Sequence, residues 1–254
     1  MSFAQSFAFT PPGCDNCLHD NPLDFEITMA FQPIVDMRDR TILAYEALVR
    51  GTHGEGAAEV LSRVNESNRY TFDQSCRIKA IELAAELQID CYLSINFLPN
   101  AVYRPEACIR ATVAAAEYYH FPLEATIFEV SESERVIDPH HLQNIFNEYK
   151  NRGLMTAIDD FGAGFSDLQL LSRFQPHFLK LDIALCRGIA QDPKLYQKTA
   201  TIIATAQAMK IEVIAEGIEN LADLELLMAL GLYYFQGYLF ARPATEALPE
   251  VDFS

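Results

Sequence analysis

Short apolar runs alternate with longer segments of helical periodicity along most of this chain. The strand-like runs cover residues 28–36, 42–49, 91–98, 125–130, 154–160, 178–182, 211–215 and 234–239. The intervening apolar spacing of three and four predicts helices over 57–66, 72–87, 105–119, 139–151, 167–173, 193–209 and 221–230. Thr71, Asp138 and Asn220 stand where helix N-caps are needed, and Gly153 and Gly231 stand where two helices should stop. Eight strands joined by helical crossovers predict an α/β fold, a TIM-like (β/α)8 barrel. The first connection breaks the rule. Only residues 36–40 separate the first two runs, whereas a parallel crossover needs a dozen or more residues, so the first strand should lie antiparallel to the second. Residues 1–24 read as a leader, 25–246 as the barrel domain and 247–254 as a C-terminal tail.

Composition narrows the class. In 254 residues, 50% are hydrophobic, enough for a large core. No apolar run reaches the ~20 residues of a membrane span. The start, Met1-Ser-Phe-Ala-Gln-Ser-Phe, lacks the basic and apolar regions of a secretory signal, so a cytoplasmic protein without membrane attachment is expected. A net charge of −16 argues against binding a nucleic acid polymer. A small anionic ligand would need local cations, which metal ions can supply. Of the six cysteines, Cys76, Cys91, Cys108 and Cys186 lie in apolar segments and read as reduced core residues. Cys14 and Cys17 form a C-x-x-C with His19 close behind. Zinc at Cys14 and Cys17, a redox pair and a mobile tail are all open for this leader.

In such barrels, chemistry collects at the C-terminal ends of the strands. The polar residues there are Glu46, Asn96, Glu129 (with Glu132 beyond it), the adjacent Asp159 and Asp160, Lys180, Glu216 and Gln236. An isolated one could be an ordinary hydrogen-bonded side chain, and the aspartate pair could be a helix cap and a turn. A polar group at seven successive strand ends is harder to explain that way. Clustered buried acids repel one another and need cations or protons. An all-oxygen donor set favours Mg²⁺ or Mn²⁺ over zinc. Lys180 would balance charge or orient a water. Two ions bridged by a carboxylate suit phosphodiester hydrolysis, with Asp159 and Asp160 as the natural bridging pair. The histidines (His53, His120, His140, His141 and His177) have no triad partners at telling positions, and Ser166 lacks the frame of a nucleophile elbow.

The motifs Phe31-Gln-Pro-Ile-Val35, Tyr45-Glu-Ala-Leu-Val-Arg50, Ser94-Ile-Asn96, Glu129-Val-Ser-Glu132, Asp159-Asp-Phe-Gly-Ala-Gly-Phe-Ser166, Lys180-Leu-Asp182, Ala215-Glu-Gly-Ile-Glu219 and Phe235-Gln-Gly-Tyr-Leu-Phe240 follow one another in order. Together they resemble the EAL domain of cyclic di-GMP phosphodiesterases, from about residue 27 to about 244. The resemblance implies a cytoplasmic, homodimeric, metal-dependent enzyme that hydrolyses cyclic di-GMP to linear pGpG with two Mg²⁺ or Mn²⁺ ions. It implies Glu46, Asn96, Glu129 and Asp159 as ligands of one ion, and Asp159, Asp160 and Glu216 of the other. It implies Lys180 as the water-positioning residue and Glu216 as a base. Gln32, Arg50, Glu219 and Gln236 fall at positions that contact the substrate or support the metal ligands from behind. Glu132, Gly162 and Gly164 fall where a loop couples dimer contacts to metal binding. Ser131, Ala163 and Phe165 depart from the family's usual residues without removing a ligand. The alternative is a catalytically weak EAL domain acting as a cyclic di-GMP-binding or protein-interaction module. Such a domain is expected to lose metal ligands, and this sequence keeps them all.

Overall fold

A computed structural model describes residues 22–102, 104–131, 138–162 and 168–253, together with Phe9. The Cys14/Cys17 leader motif, Glu132, Gly164 and Ser166 lie outside the described residues. Strands β1 (Ile27–Asp36) and β2 (Thr41–Gly51) form an antiparallel hairpin, from Ile27 opposite Gly51 to Asp36 opposite Thr41. Then β3 (Tyr92–Asn96), β4 (Thr126–Ser131), β5 (Met155–Phe161), β6 (Phe178–Leu181), β7 (Glu212–Ala215) and β8 (Tyr234–Phe235) add in order, each parallel to the last. Strand β8 meets β1 antiparallel at Val35 and Asp36, which closes the sheet. The result is a TIM-like barrel whose first strand runs against the rest. A two-residue strand, β9 (Ala244–Thr245), pairs with β1 at Ala30 and Phe31.

The outer ring is built from α1 (Ala57–Leu61), α2 (Arg69–Glu86), α3 (Pro105–Tyr119), α4 (Pro139–Asn151), α5 (Leu168–Phe174), α6 (Ile183–Cys186), α7 (Pro193–Ala208) and α8 (Leu221–Ala229). Their inward faces and the outward faces of the strands make the main hydrophobic core, from Leu23 and Phe25 to Phe240. Two of the expected caps are in place. The Asp138 carboxylate accepts the His140 N–H, and the Asn220 carbonyl accepts the Asp223 N–H. Gly153 and Gly231 follow the last turns of α4 and α8 with φ of +78° and +85°, a conformation that glycine adopts without a Cβ penalty. Among the described residues, no helix is long and apolar enough to cross a membrane.

Inside the barrel the side chains form two layers, and the two-residue period of a strand explains both. Ile34, Ala44, Ile127, Ala157, Phe178 and Ile214 form a separate apolar cluster, with Tyr92 and Tyr234 packed against it. Two residues further along, on the same face, stand Glu129, Asp159, Lys180, Glu216 and Gln236, as does Glu46 on β2; on β3, Ser94 stands two residues past Tyr92 and Asn96 four. On the reversed β1 the order inverts, so Gln32 precedes Ile34. The apolar layer plugs the barrel and holds the polar layer at its C-terminal mouth.

Several elements differ from the sequence expectation. Strand β8 spans only Tyr234–Phe235 rather than 234–239, because the chain turns at Gly237 to pass against the backbone of Ile218. Helix α1 stops at Leu61 instead of residue 66. The side chains of Asn65 and Asn68 bond local backbone N–H groups there, of Ser67 and Asn65 respectively, and so compete with helix. Helix α2 starts at Arg69 rather than at a Thr71 cap. Strand β6 ends at Leu181, since Asp182 caps α6 by accepting the Ala184 N–H at 2.8 Å.

Gly237 has no room for a side chain: an added Cβ would lie 2.1 Å from the Ile218 carbonyl oxygen and 2.3 Å from its nitrogen. Backbone cannot step aside as a side chain can, so Gly237→Ala should cost about 1–3 kcal/mol. At ~2–4 °C per kcal/mol for a chain of this size, thermal unfolding should come roughly 5 °C earlier. An unchanged melting temperature would show that the approach is not tight.

Candidate functional site

Lys180 points from β6 into the barrel and is fully buried. Its Nζ lies 3.1 Å from Glu46 Oε2, 2.9 Å from Glu129 Oε2, 3.0 Å from Asp159 Oδ1 and 2.8 Å from Glu216 Oε1. One ammonium thus ties together residues of four strand ends. Glu46 is further held by Asn96, whose Nδ2 donates to Oε1 at 2.8 Å, and by Gln236, whose Nε2 donates to Oε2 at 2.8 Å. Gln236 Nε2 also reaches Gln32 Oε1 at 3.3 Å, and Gln32 Nε2 donates to the Ala241 carbonyl at 3.2 Å. Ser94 donates to Glu129 Oε1.

Adjacent residues of a regular strand point to opposite faces, yet Asp159 and Asp160 both face the mouth. A bulge makes this possible. The β5–β6 register shifts between Ile158 and Phe161, and Asp160 takes φ of +55°, a conformation that aspartate tolerates better than most residues. The Asp160 N–H donates to Asp159 Oδ1 at 2.9 Å, and Ser131 Oγ donates to Asp160 Oδ2 at 2.9 Å. Carboxylate oxygens of Glu46, Glu129 and Asp159 lie within 4.8 Å of one another, and so do those of Asp159, Asp160 and Glu216. The two groups share Asp159.

The electrostatics follow from burying several acids around one cation. Burial pushes Glu129 up to about 8 despite Lys180, with Glu46 and Asp159 adding to the rise. Burial likewise raises Asp159 to about 6, against the pull of Lys180. Glu216 is pushed well up by burial and by Asp159. Burial also works to raise Glu46, but Lys180 and the hydrogen bonds from Gln236 and Asn96 outweigh it and bring Glu46 below the usual carboxylate range. Burial disfavours the Lys180 ammonium, yet the surrounding carboxylates hold it well above its usual value.

Gln32, Glu46, Asn96, Asp159, Asp160, Glu216 and Gln236 open onto a cleft of about 820 Å³, while Glu129 and Lys180 lie beneath its floor. Glu219 sits on the rim, ion-paired with Arg187. Arg50 is not part of the cleft wall, and its Nη1 donates to the Val49 carbonyl at 2.7 Å. Gly162, with φ of +106°, follows β5 and packs against Leu185. Sequence reasoning gave no role to Ser94 or Ser131; both sit two residues from or beside a cluster residue, and the short distance along the strand was the available signal. Gln32 and Gln236, expected beside the substrate or behind the metal ligands, line the cleft with their amides tied to Ala241 and Glu46. One buried atom of this set, Gln236 Oε1, has no hydrogen-bond partner among the described residues.

Solved structures share both the fold and the sequence. A standalone versatile EAL protein from Vibrio cholerae O395, crystallised in its c-di-GMP-bound form, is 50% identical, with a TM-score of 0.87 over 91% of this chain and 97% of that one. The manganese/cy-diGMP complex of Klebsiella pneumoniae BlrP1 at pH 9.0 is 30% identical, with a TM-score of 0.83 over 89% of this chain and 58% of that one. The blue light- and temperature-regulated antirepressor BluF of Escherichia coli (strain K12) is 29% identical over 250 residues, and the chain spans 62% of its length. Proteins named cyclic di-GMP phosphodiesterases from Shewanella oneidensis, Escherichia coli and Pseudomonas aeruginosa also match, each over less than half of its own length. The model of the EAL domain matches residues 18–243, and the chain therefore belongs to the EAL domain family.

Proposed function

We propose that this protein hydrolyses one phosphodiester bond of cyclic di-GMP, giving linear pGpG and so lowering the second messenger, with Mg²⁺ or Mn²⁺ as cofactor. The observation that carries this reading is the pair of carboxylate groups that share Asp159. Four acids on one ammonium, with Asp160 beside them, leave the cluster short of positive charge, which divalent cations would supply in place of protons. The donors are all oxygens, which suits Mg²⁺ or Mn²⁺. Glu46, Asn96, Glu129 and Asp159 would hold one ion, and Asp159, Asp160 and Glu216 the other. When bound, the ions polarise the phosphoryl oxygens and make water a nucleophile near neutral pH.

The chain's own residues do the rest. Glu216, ionised when the site is filled, would take a proton from the attacking water, whose oxygen bonds to phosphorus while the P–O3′ bond breaks and the leaving O3′ takes up a proton from solvent. The product keeps its phosphate on the 5′ side. Lys180 holds the Glu216 carboxylate at 2.8 Å and pulls the neighbouring acids towards their charged forms, against the effect of burial. Gln236 and Asn96 hold Glu46 from two sides. On the family resemblance, Glu219 on the rim and Arg50 beyond it would contact the guanylate ligand. Relatives with cyclic di-GMP bound, one of them with manganese, support this ligand and cofactor. A cytoplasmic homodimer belongs to the same reading, on the family resemblance. BluF is named an antirepressor, so regulation by protein contact without turnover is the competing possibility.

Purified protein incubated with cyclic di-GMP and Mg²⁺ should give pGpG by chromatography, and a chelator should stop it. Glu46→Gln keeps the shape and the neighbours of the side chain but removes its charge. Turnover should fall by at least ~100-fold, the upper range for disturbing a metal's surroundings. Normal turnover in that variant at matched metal would exclude this site.

Ca²⁺ should compete with Mg²⁺ and inhibit, because it is larger and accepts irregular coordination. Equal rates with either ion would count against two closely spaced sites.

Lys180→Met should lower stability in metal-free buffer, since breaking a buried ion pair costs about 3–5 kcal/mol. That corresponds to roughly 10 °C in thermal unfolding. Added Mg²⁺ should restore more of the melting temperature in the variant than it adds to the parent. An equal gain in both would mean that the ammonium is not substituting for a cation.

A further inference from the structure

We propose that Asp73 and Arg77, on α2 outside the barrel, are positioning residues for the Asn96 side of the metal site. The inference rests on the metal-dependent reading above. It begins from an ion pair in an unusual place. Asp73 and Arg77 are four residues apart on one helix face, and both side chains are only 2% exposed. Arg77 Nη2 bonds Asp73 Oδ2, and Nη1 donates to Thr112 Oγ1 on α3 at 3.2 Å. The guanidinium thereby fixes the carboxylate in one orientation. The other carboxylate oxygen, Oδ1, accepts the backbone N–H of Leu98 at 2.8 Å.

Leu98 lies two residues past Asn96, on the segment that leaves β3. That segment is pinned at three successive residues. Asn96 Nδ2 donates to Glu46, the Phe97 N–H donates to the Glu129 carbonyl at 3.0 Å, and the Leu98 N–H donates to Asp73. Two of these anchors are themselves residues of the carboxylate cluster, and only Asp73 comes from outside the barrel. Asp73, Asn96, Phe97 and Leu98 all line the cleft. Beyond Leu98 the chain enters a short turn at Pro99–Ala101, where Pro99 has no N–H to offer. The Leu98 N–H is thus the outermost hold on Asn96.

Stability alone does not account for the pair. Desolvating two charges so deeply costs about what their attraction returns, and well-packed apolar residues often replace such a pair without loss. What apolar residues cannot supply is an acceptor for the Leu98 N–H. Without one, the β3 exit can shift, and with it the Asn96 amide beside Glu46. Supports of this kind typically change metal affinity by about 10–100-fold when removed.

The test is Mn²⁺ affinity of the purified chain without nucleotide, by titration calorimetry or by the loss of the free-ion electron paramagnetic resonance signal, alongside thermal unfolding. The double variant Asp73→Leu/Arg77→Met removes the acceptor while leaving an uncharged, packed interior. It should melt within a few degrees of the parent and bind Mn²⁺ on the order of tenfold more weakly. Arg77→Met, which keeps the Asp73 carboxylate as acceptor for Leu98 but strands its charge, should do the reverse: a clear loss in melting temperature with Mn²⁺ affinity weakened less than in the double variant. Parent-like Mn²⁺ affinity in the double variant overturns the inference, as does equal weakening in both variants, which would tie affinity to the charge pair rather than to the Leu98 bond. Absence of Mn²⁺ binding in the parent, or binding unaffected by Glu46→Gln, overturns the metal reading itself and this inference with it.

Discussion

Lys180 carries a positive charge to the middle of the barrel, where Glu46, Glu129, Asp159 and Glu216 all approach its Nζ within 3.1 Å. Those acids end four different strands, so the ammonium links strand ends that backbone pairing alone would leave independent. It also sets the limits of the cluster. One cation cannot satisfy so many buried carboxylates, and the upward shifts of Glu129 and Asp159 express the remaining charge. The cluster must take up protons or admit further cations. Under the proposed function, the oxygen donors would favour hard cations and the charge deficit divalent ones.

The apolar layer beneath is the other half of that constraint. Phe178 precedes Lys180 by two residues on the same strand face and belongs to the plug with Ile34, Ala44, Ile127, Ala157 and Ile214. The plug keeps water from reaching the ammonium from below. Low polarity around the cluster strengthens each of its hydrogen bonds and ion pairs, and makes any unpaired member costly. Gln236 and Asn96 answer that cost for Glu46, and Ser94 and Ser131 answer it for Glu129 and Asp160.

Much of this was legible in the chain, because strands of a barrel repeat one simple rule. A polar residue at the end of an apolar run declares itself when it recurs at Glu46, Asn96, Glu129, Asp159, Lys180, Glu216 and Gln236. The reversed β1 was legible from the five-residue connection alone, since no parallel crossover fits there. What the pattern did not reveal was backbone geometry. The period-two rule puts Asp159 and Asp160 on opposite faces, and only the bulge with its left-handed Asp160 brings both to the mouth. Likewise, residues 234–239 read as one strand, but after Phe235 the chain turns at Gly237 and keeps only isolated bonds with Ile218, whose N–H donates to the Gln236 carbonyl and whose carbonyl accepts the Leu239 N–H. Asp182 resembles another strand-end ligand in sequence. Its carboxylate instead caps α6.

The outer helices were harder to connect to the site, because their signals are those of any amphipathic helix. Asp73 and Arg77 sit in a helical pattern where a charge pair four residues apart reads as solvent-exposed. Their burial depends on α3 and the β3 exit closing over them, a tertiary condition that no local spacing encodes. A barrel of this design needs such ties. Several polar side chains at the mouth stand at a strand's last residue or just beyond it (Asn96 on β3, Glu216 after β7, Gln236 after β8), where ladder hydrogen bonds end and the backbone is least constrained. Fixing that residue therefore falls to whatever grips the segment immediately beyond it: the Asp159 and Asp160 bulge on β5, the Gly217–Ile218 passage beside β8, and the Leu98 N–H on β3. The geometry at the mouth is thus set as much by the first two residues after each strand as by the strands themselves.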